Sequence, residues 1–382
     1  MTLTLPTGLD VNVAPAPVAM VWNEPGAPHE SVATPGVRLA PGDALVQVEY
    51  ATVCGSDVHT VRGDRPAPTP LVLGHEQVGR VVAKGDDAVR ADGTPLELGD
   101  RVVWSVAVSC GTCDRCARGL PQKCRTLAKY GHERISRGWE LTGGFATHVH
   151  VRAGSSIVVV GDDLPAEVAA AASCATATAV AALDAAAATV DLDGALVLIT
   201  GGGMVGLSAA AMAVEAGAEV IVSDPDASRR SLARRFGAIA ADPRARKGTP
   251  EHLDEVLAVR AQRGLDEILV AIEASGAPAA VETVIKRVGV GGAVVLVGSV
   301  SPGPAIPVDA ESIVRRLVTL TGVHNYTPAQ LVRAVEFLER SYRTVPLERL
   351  VGTAYPLDEL DRALEDAATG THVRVGVIGS RG

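Results

Sequence analysis

Aromatic residues are scarce in this chain: three Trp, five Tyr and three Phe among 382 residues. Rings therefore cannot build its cores, which fall to Val, Ala and Leu, and forty glycines permit many tight turns. Positive charge is also in the minority, 35 Lys and Arg against 44 Asp and Glu, for a formal charge of -9 spread along the chain. No basic patch of the kind that binds nucleic-acid phosphates is present, so DNA and RNA are not expected partners. The uncharged run from Val168 to Leu183 is too short and too alanine-rich to cross a bilayer. The first twenty residues have no Lys or Arg, contain Asp10 and three prolines, and lack the basic-then-apolar layout of a secretory signal. A soluble, cytoplasmic protein with no membrane partner is the expectation. No period of 20 to 50 residues repeats, and only the Pro-containing N-terminal fifteen residues read as a linker.

With 47% hydrophobic and 21% charged residues the chain is globular, and its length fits two domains better than one. The first half holds short β-branched runs, LVQVEYATV, HEQVGRVVAKG, DRVVWSVAV and FATHVHV, separated by Gly, Pro and Asp turns. From about residue 165 the texture changes to alternating strands and helices, the pattern of a doubly wound parallel sheet. The chain from about 326 reads as helix, short strands, helix and a last strand, VRVGVIG, a tail long enough to return to the first domain.

Between the predicted strand ALVLIT and a predicted helix LSAAAMAVEAG lies GGGMVG, in which Gly201, Gly203 and Gly206 make G-x-G-x-x-G around Met204 and Val205. Glycines there allow a tight turn, backbone approach to a pyrophosphate and close helix–strand packing. Asp224 ends the next strand about twenty residues on, where a carboxylate accepts from the adenosine ribose hydroxyls and repels a 2'-phosphate. NAD is favoured, while Arg229 and Arg230 keep NADP open.

Six cysteines remain to be explained. Cys110, Cys113, Cys116 and Cys124 are spaced C-x2-C-x2-C-x7-C, a closed four-thiolate set for a structural Zn2+ in a lobe of about 108–126. An iron–sulfur cluster would set the last spacing differently and follow it with proline. Cys54 in VCGSDVH and His75 and Glu76 in GHE are further metal-ligand types, each ambiguous alone. Cys174, in AASCATATAVAAL, reads by itself as a small hydrophobe in a packed helix.

Together CGSDVH at 54–59, GHE at 74–76, GD at 99–100, the four-cysteine lobe, Cys174 with Thr178, the glycine fingerprint and Asp224 resemble the zinc-containing alcohol dehydrogenases of the medium-chain dehydrogenase/reductase family, from about residue 17 to 378. The resemblance implies an α/β fold: a chaperonin-10-like β-barrel catalytic domain over 1–175 and 326–382, with a Rossmann doubly wound parallel sheet over 176–325. It also implies a catalytic zinc on Cys54, His75 and Cys174, with Glu76 as a nearby carboxylate that coordinates or exchanges with water. Two Zn2+ per chain and NAD follow. Ser56 and His59 match the family's proton relay, Asp57 the carboxylate that orients the ligating histidine, Thr178 and the backbone at Val297 and Gly298 the nicotinamide contacts, and Arg374 a basic residue near the pyrophosphate. Gly55 departs from members with Arg there, which removes one phosphate contact.

The implied activity is a reversible oxidation of an alcohol to an aldehyde or ketone, in a homodimer or homotetramer. Trp104 and Val106 are expected near the substrate. The loop 125–148 is rich in Lys129, His132, Arg134 and Arg137, either a solvated loop or an anion-binding element. GLPQKC followed by KYGHE resembles a subgroup associated with phosphonate metabolism, which would make the substrate a hydroxyalkyl phosphonate or its aldehyde. A dehydrogenase of neutral secondary alcohols or polyols, and a non-catalytic zinc-stabilised NAD-binding protein, are the alternatives. A zinc-free quinone or enoyl reductase is disfavoured by the presence of Cys54 and His75.

Overall fold

The computed structural model describes residues 8–379, so the first seven residues of the N-terminal linker lie outside it. The chain divides into two compact units. One takes the residues up to Cys174 with Thr327–Tyr342 and those from Leu347 onward; the other is Ala175–Tyr326 with Arg343–Pro346.

The first unit is built on an eight-stranded sheet around the strand Ala44–Thr52, whose β-branched and apolar side chains are mostly buried. Gln77–Lys84, His148–Val151 and Arg374–Ile378 all pair with it antiparallel, the last with Val377 opposite Ala51. The chain's tail thus supplies a strand to the sheet begun by residue 44. The few rings are concentrated here: Trp104, Tyr130 and Trp139 meet edge to face, with centroids 6.3 and 5.8 Å apart, inside the core that also holds Phe145. Trp104 is fully buried in that core. An indole is the largest filler available to a core otherwise made of Val, Leu and Ala.

The second unit is a six-stranded parallel sheet. Its strands lie in space in the order third, second, first, fourth, fifth, sixth, beginning from Leu196–Thr200 as first. Leu198, Ile221, Ala271 and Val294 carry its core. The helix that follows the first strand starts at Met204, earlier than the hydrophobic pattern suggests, because Gly203 caps it and puts Gly206 in its first turn. Two short strands, Ile239–Ala241 and the edge strand Thr319–Gly322, have no alternation to announce them, and VGVGG hides the start of Val288–Leu296 behind glycines.

Cys174 is not inside a helix. A 3-10 segment, Ala170–Ser173, ends at Cys174, whose φ of -133° and ψ of -80° break the path before the helix Ala175–Ala187 begins. Among the described residues no single helix is long and apolar enough to cross a membrane.

Candidate metal and nucleotide sites

The first unit gathers ligand atoms of Cys54, His75, Glu76 and Cys174 within 4.8 Å of one another. Cys54 is the N-cap of the short helix Gly55–Val61, and His75 and Glu76 directly precede the strand Gln77–Lys84. Ser173 ties the third arm in, its Oγ donating to the His75 carbonyl at 3.1 Å.

Asp57 clamps two of these arms. It is fully buried, accepts from the Cys54 N–H at 2.9 Å and the Gly74 N–H at 3.4 Å, and sets Oδ1 3.5 Å from His75 Nδ1. Burial alone would push the His75 imidazole down, but Asp57 and the Cys54 thiol outweigh it and raise its pKa well above the ordinary value. Cys54 is pulled well below an ordinary thiol by the hydrogen bond from Cys174, against burial and with help from Arg374 and His75. Two thiols and an imidazole converging in a buried spot, with a carboxylate on the outer imidazole nitrogen, are the soft donor set and support that zinc takes. The residues fit the metal.

Glu76 has other partners. Thr52 Oγ1 donates to its Oε2 at 2.6 Å, and Arg374 holds both oxygens, Nε to Oε2 at 2.8 Å and Nη2 to Oε1 at 3.0 Å. Arg374 is thus anchored beside the thiols, with Nη2 3.8 Å from Cys54 Sγ.

Ser56 and His59 lie three residues apart on the helix Gly55–Val61 and so share a face. The His59 side chain is 57% exposed, with Nδ1 3.3 Å from Asp64.

The four-cysteine lobe is a separate and more open cluster. Sulfur–sulfur separations are 3.4 Å for Cys110 and Cys124, 3.5 Å for Cys113 and Cys116, and 4.0 Å for Cys113 and Cys124. The N–H groups of Cys110 and Cys113 donate to the sulfurs of Cys124 and Cys110. Backbone donors from Thr112, with its hydroxyl and the Cys113 N–H, lower the Cys110 thiol to about 5. Four inward sulfurs that accept backbone hydrogen bonds fit a closed tetrahedral zinc site.

In the second unit the three fingerprint glycines differ in what they must avoid. A Cβ on Gly206 would lie 1.9 Å from the Gly201 carbonyl, and one on Gly201, at φ +104°, 2.9 Å from the Ser275 nitrogen. Gly203 meets nothing nearer than the Arg229 guanidinium at 3.7 Å, so the protein's own packing does not demand a glycine there. That open cradle at the start of a twelve-residue helix suits a pyrophosphate.

Residues 40–162 match the family model of the alcohol dehydrogenase GroES-like domain, and residues 204–340 that of the zinc-binding dehydrogenases. The chain belongs to the zinc-containing medium-chain dehydrogenases. An L-threonine 3-dehydrogenase of Anaeromyxobacter dehalogenans is 33% identical over 291 residues, 74% of this chain and 76% of that one. An alcohol dehydrogenase from Thermotoga maritima superposes with a TM-score of 0.86 at 27% identity, covering 98% of this chain and 100% of its own. A Sinorhizobium meliloti zinc-binding dehydrogenase bound to NADP gives 0.80 at 28% identity, covering 95% and 99%. The fold is therefore the GroES-like domain with a Rossmann-like one, and the chain is an oxidoreductase of this family, acting on CH–OH groups. The phosphonate substrate suggested by the 125–148 loop finds no support in these likenesses.

Asp224, at 5% exposure, accepts from the Gly202 N–H at 2.6 Å and the Asp226 N–H at 2.8 Å, one on each oxygen. Each oxygen keeps a second lone pair for a ribose hydroxyl. Arg230 is buried, donating to the carbonyls of Asp224 and Pro225 and pairing with Asp242 and Glu251, so this one of the two arginines is turned away from a 2'-phosphate role. Thr178 lies on the helix Ala175–Ala187, and the N–H groups of Val297 and Gly298 both donate to the Glu273 carbonyl.

Sequence reasoning did not foresee the contact between His132 and His75, whose ring centroids are 4.9 Å apart. The signal was a repeated Gly-His pair: a Cβ on Gly131 would sit 2.6 Å from the Gly74 carbonyl, so the two glycines touch and bring their histidines together.

Proposed function

We propose that the chain is a zinc- and NAD-dependent alcohol dehydrogenase, moving a hydride reversibly between an alcohol carbon and the nicotinamide to give an aldehyde or ketone. The buried convergence of Cys54, His75 and Cys174, with Asp57 clamping its backbone, carries this reading. Those three residues hold one zinc and Cys110, Cys113, Cys116 and Cys124 a second, in a catalytic domain of 1–175 and 326–382 with a nucleotide-binding domain of 176–325. Zinc in a three-ligand site supplies Lewis acidity that makes an alcohol easier to deprotonate near neutral pH, and NAD is the hydride acceptor.

The Ser56 hydroxyl takes the alcohol proton, and His59, one helical turn on and exposed, passes it to water. Asp57 fixes the orientation of His75, and Glu76, held by Thr52 and Arg374, keeps a carboxylate beside the thiols. Gly201, Gly203, Met204, Val205 and Gly206 bind the pyrophosphate, and Asp224 the adenosine ribose. The Asp224 charge and the engaged Arg230 favour NAD over NADP, leaving Arg229 at the edge of the ribose site. Thr178 and the carbonyl of Val297 take the nicotinamide end, the Val297 and Gly298 N–H groups being bound to Glu273. Arg374, with Nε and Nη2 on Glu76 and Nη1 donating to the Val373 carbonyl, serves first as that anchor and gives a nearby pyrophosphate its positive charge rather than a free fork.

The test is metal analysis paired with NADH formation from a panel of alcohols. A chain that binds NAD, holds two zinc ions and oxidises none of them would overturn the reading. A homodimer or homotetramer is supported by the sheet's edge strand, Thr319–Gly322, which carries the exposed Leu320 and follows the exposed Val314 and Leu317 in the chain. A monomer by light scattering would refute it.

A further inference from the structure

The end of the parallel sheet that faces the nucleotide has two sides. The glycine turn follows the first strand, Leu196–Thr200; Asp224 follows the second, on one side of it, and the fourth and fifth strands, Ile268–Glu273 and Val288–Leu296, lie on the other. A dinucleotide with its pyrophosphate over the first strand therefore lays its adenosine toward Asp224 and its other nucleoside over the ends of the fourth and fifth strands.

That second side is organised by a side chain that packing alone does not require. Glu273 closes a strand otherwise apolar from Ile268 to Ile272, and it is fully buried. Its Oε1 accepts from the Ser275 N–H at 2.7 Å, the Ser275 hydroxyl at 2.6 Å and the Gly276 N–H at 2.7 Å, while its own carbonyl accepts from the N–H groups of Val297 at 2.8 Å and Gly298 at 2.9 Å. Among the described residues Oε2 has no protein partner, nor has the hydroxyl of Thr200, the register neighbour on the first strand. A buried carboxyl group with one oxygen unsatisfied by protein lowers stability where an apolar side chain would not, a conflict that proteins tolerate where function overrides packing.

What Glu273 arranges is three turns in mutual contact. A Cβ on Gly276, at φ +75°, would lie 2.7 Å from the Gly298 carbonyl, one on Gly298 2.3 Å from the Gly276 nitrogen, and one on Gly201 2.9 Å from the Ser275 nitrogen. The turn at 275–276 is thus wedged between the fingerprint turn and the turn at 297–298. Glu273 holds the middle turn by its side chain and the last by its backbone. The N–H groups of Ser275, Gly276, Val297 and Gly298 are all committed inward, which leaves phosphate binding to the glycine turn and its helix.

We propose that Glu273 is a positioning residue for the nicotinamide half of the cofactor. It sets the turns at 275–276 and 297–298 against which that nucleoside lies, and has no part in holding adenosine. The inference rests on the reading that this unit binds a nicotinamide dinucleotide.

Calorimetry on the zinc-loaded protein tests it by comparing NAD with AMP, which reaches the adenosine side alone. Glu273→Ala leaves three donors without their acceptor and is expected to weaken NAD by about tenfold or more while AMP stays within about threefold. Glu273→Gln keeps the Oε1 acceptor and should return NAD to within about threefold of wild type. Gly276→Ala leaves Glu273 in place but drives a methyl toward the Gly298 carbonyl at a positive φ, and should reproduce the split between NAD and AMP. In turnover the loss should fall on KM for NAD rather than on KM for the alcohol. NAD and AMP weakened equally by Glu273→Ala, NAD unmoved by it, or Glu273→Gln as weak as Glu273→Ala, overturns the assignment and leaves the dinucleotide reading standing. If the alanine variant does not fold, Gly276→Ala decides in its place: equal weakening, or none, overturns the assignment. A wild-type protein that binds AMP but neither NAD nor NADP overturns the dinucleotide reading itself, and the assignment with it.

Discussion

The two cysteine clusters of the first unit hold similar atoms in opposite surroundings. The lobe draws four thiols from fifteen consecutive residues, with Cys110 exposed and Gly111 and Gly119 turning the chain at positive φ. The other cluster draws on residues 54, 75, 76 and 174, with His75 and Glu76 buried and Asp57, Ser173, Thr52 and Arg374 bracing them. The first is a local staple whose neighbours are solvent, backbone and the hydroxyls of Thr112 and Thr126. The second is a tertiary construction in which each arm is held by a buried partner, the arrangement expected where geometry has to serve chemistry.

That contrast is broken most severely by Cys174→Ala. Turnover should fall by about 10³-fold or more while zinc drops from two to one per chain and NAD affinity holds; a variant with normal kcat would return Cys174 to core packing. Ser56→Ala comes next, with kcat down about 100-fold and both zinc ions retained, and an unchanged rate would remove the serine from the relay. Asp57→Asn should weaken zinc at the buried cluster by about 10- to 100-fold in chelator competition and spare the lobe; equal weakening of both ions would show a general loss of fold. Cys113→Ala acts in the opposite sense, lowering the melting temperature by about 5 °C and the zinc count to one, yet leaving kcat within about twofold. If it abolished turnover with the fold intact, the division between staple and reaction centre would be wrong.

How much of this was legible depended on the distance over which each feature is written. The lobe follows from spacing alone, and the nucleotide fold from strand, glycine turn, helix and Asp224, because both signals are local. Cys174 was not legible by itself: its Ala and Thr neighbours look like helix interior, and only resemblance joined it to Cys54 and His75. Its backbone break is invisible in AASCATATAV, since alanine is compatible with either side of it. Asp57 was legible through its motif, but its hydrogen bonds to the backbone at Cys54 and Gly74 were not, as these depend on how two remote segments pack.

The scattering of the buried cluster along the chain also sets a timetable for synthesis. The lobe's four ligands leave the ribosome together, so the proposed metal site is complete as soon as Cys124 has cleared it. Cys54 and His75 emerge earlier still, but must wait for Cys174, and Arg374, which secures Glu76, lies 320 residues beyond Cys54. If each cluster takes a zinc as proposed, one can be taken up during translation, while the other centre is complete only after the strand Arg374–Ile378 has docked onto Ala44–Thr52. On that reading, zinc starvation during synthesis would strike the two clusters at different moments in the life of the same molecule.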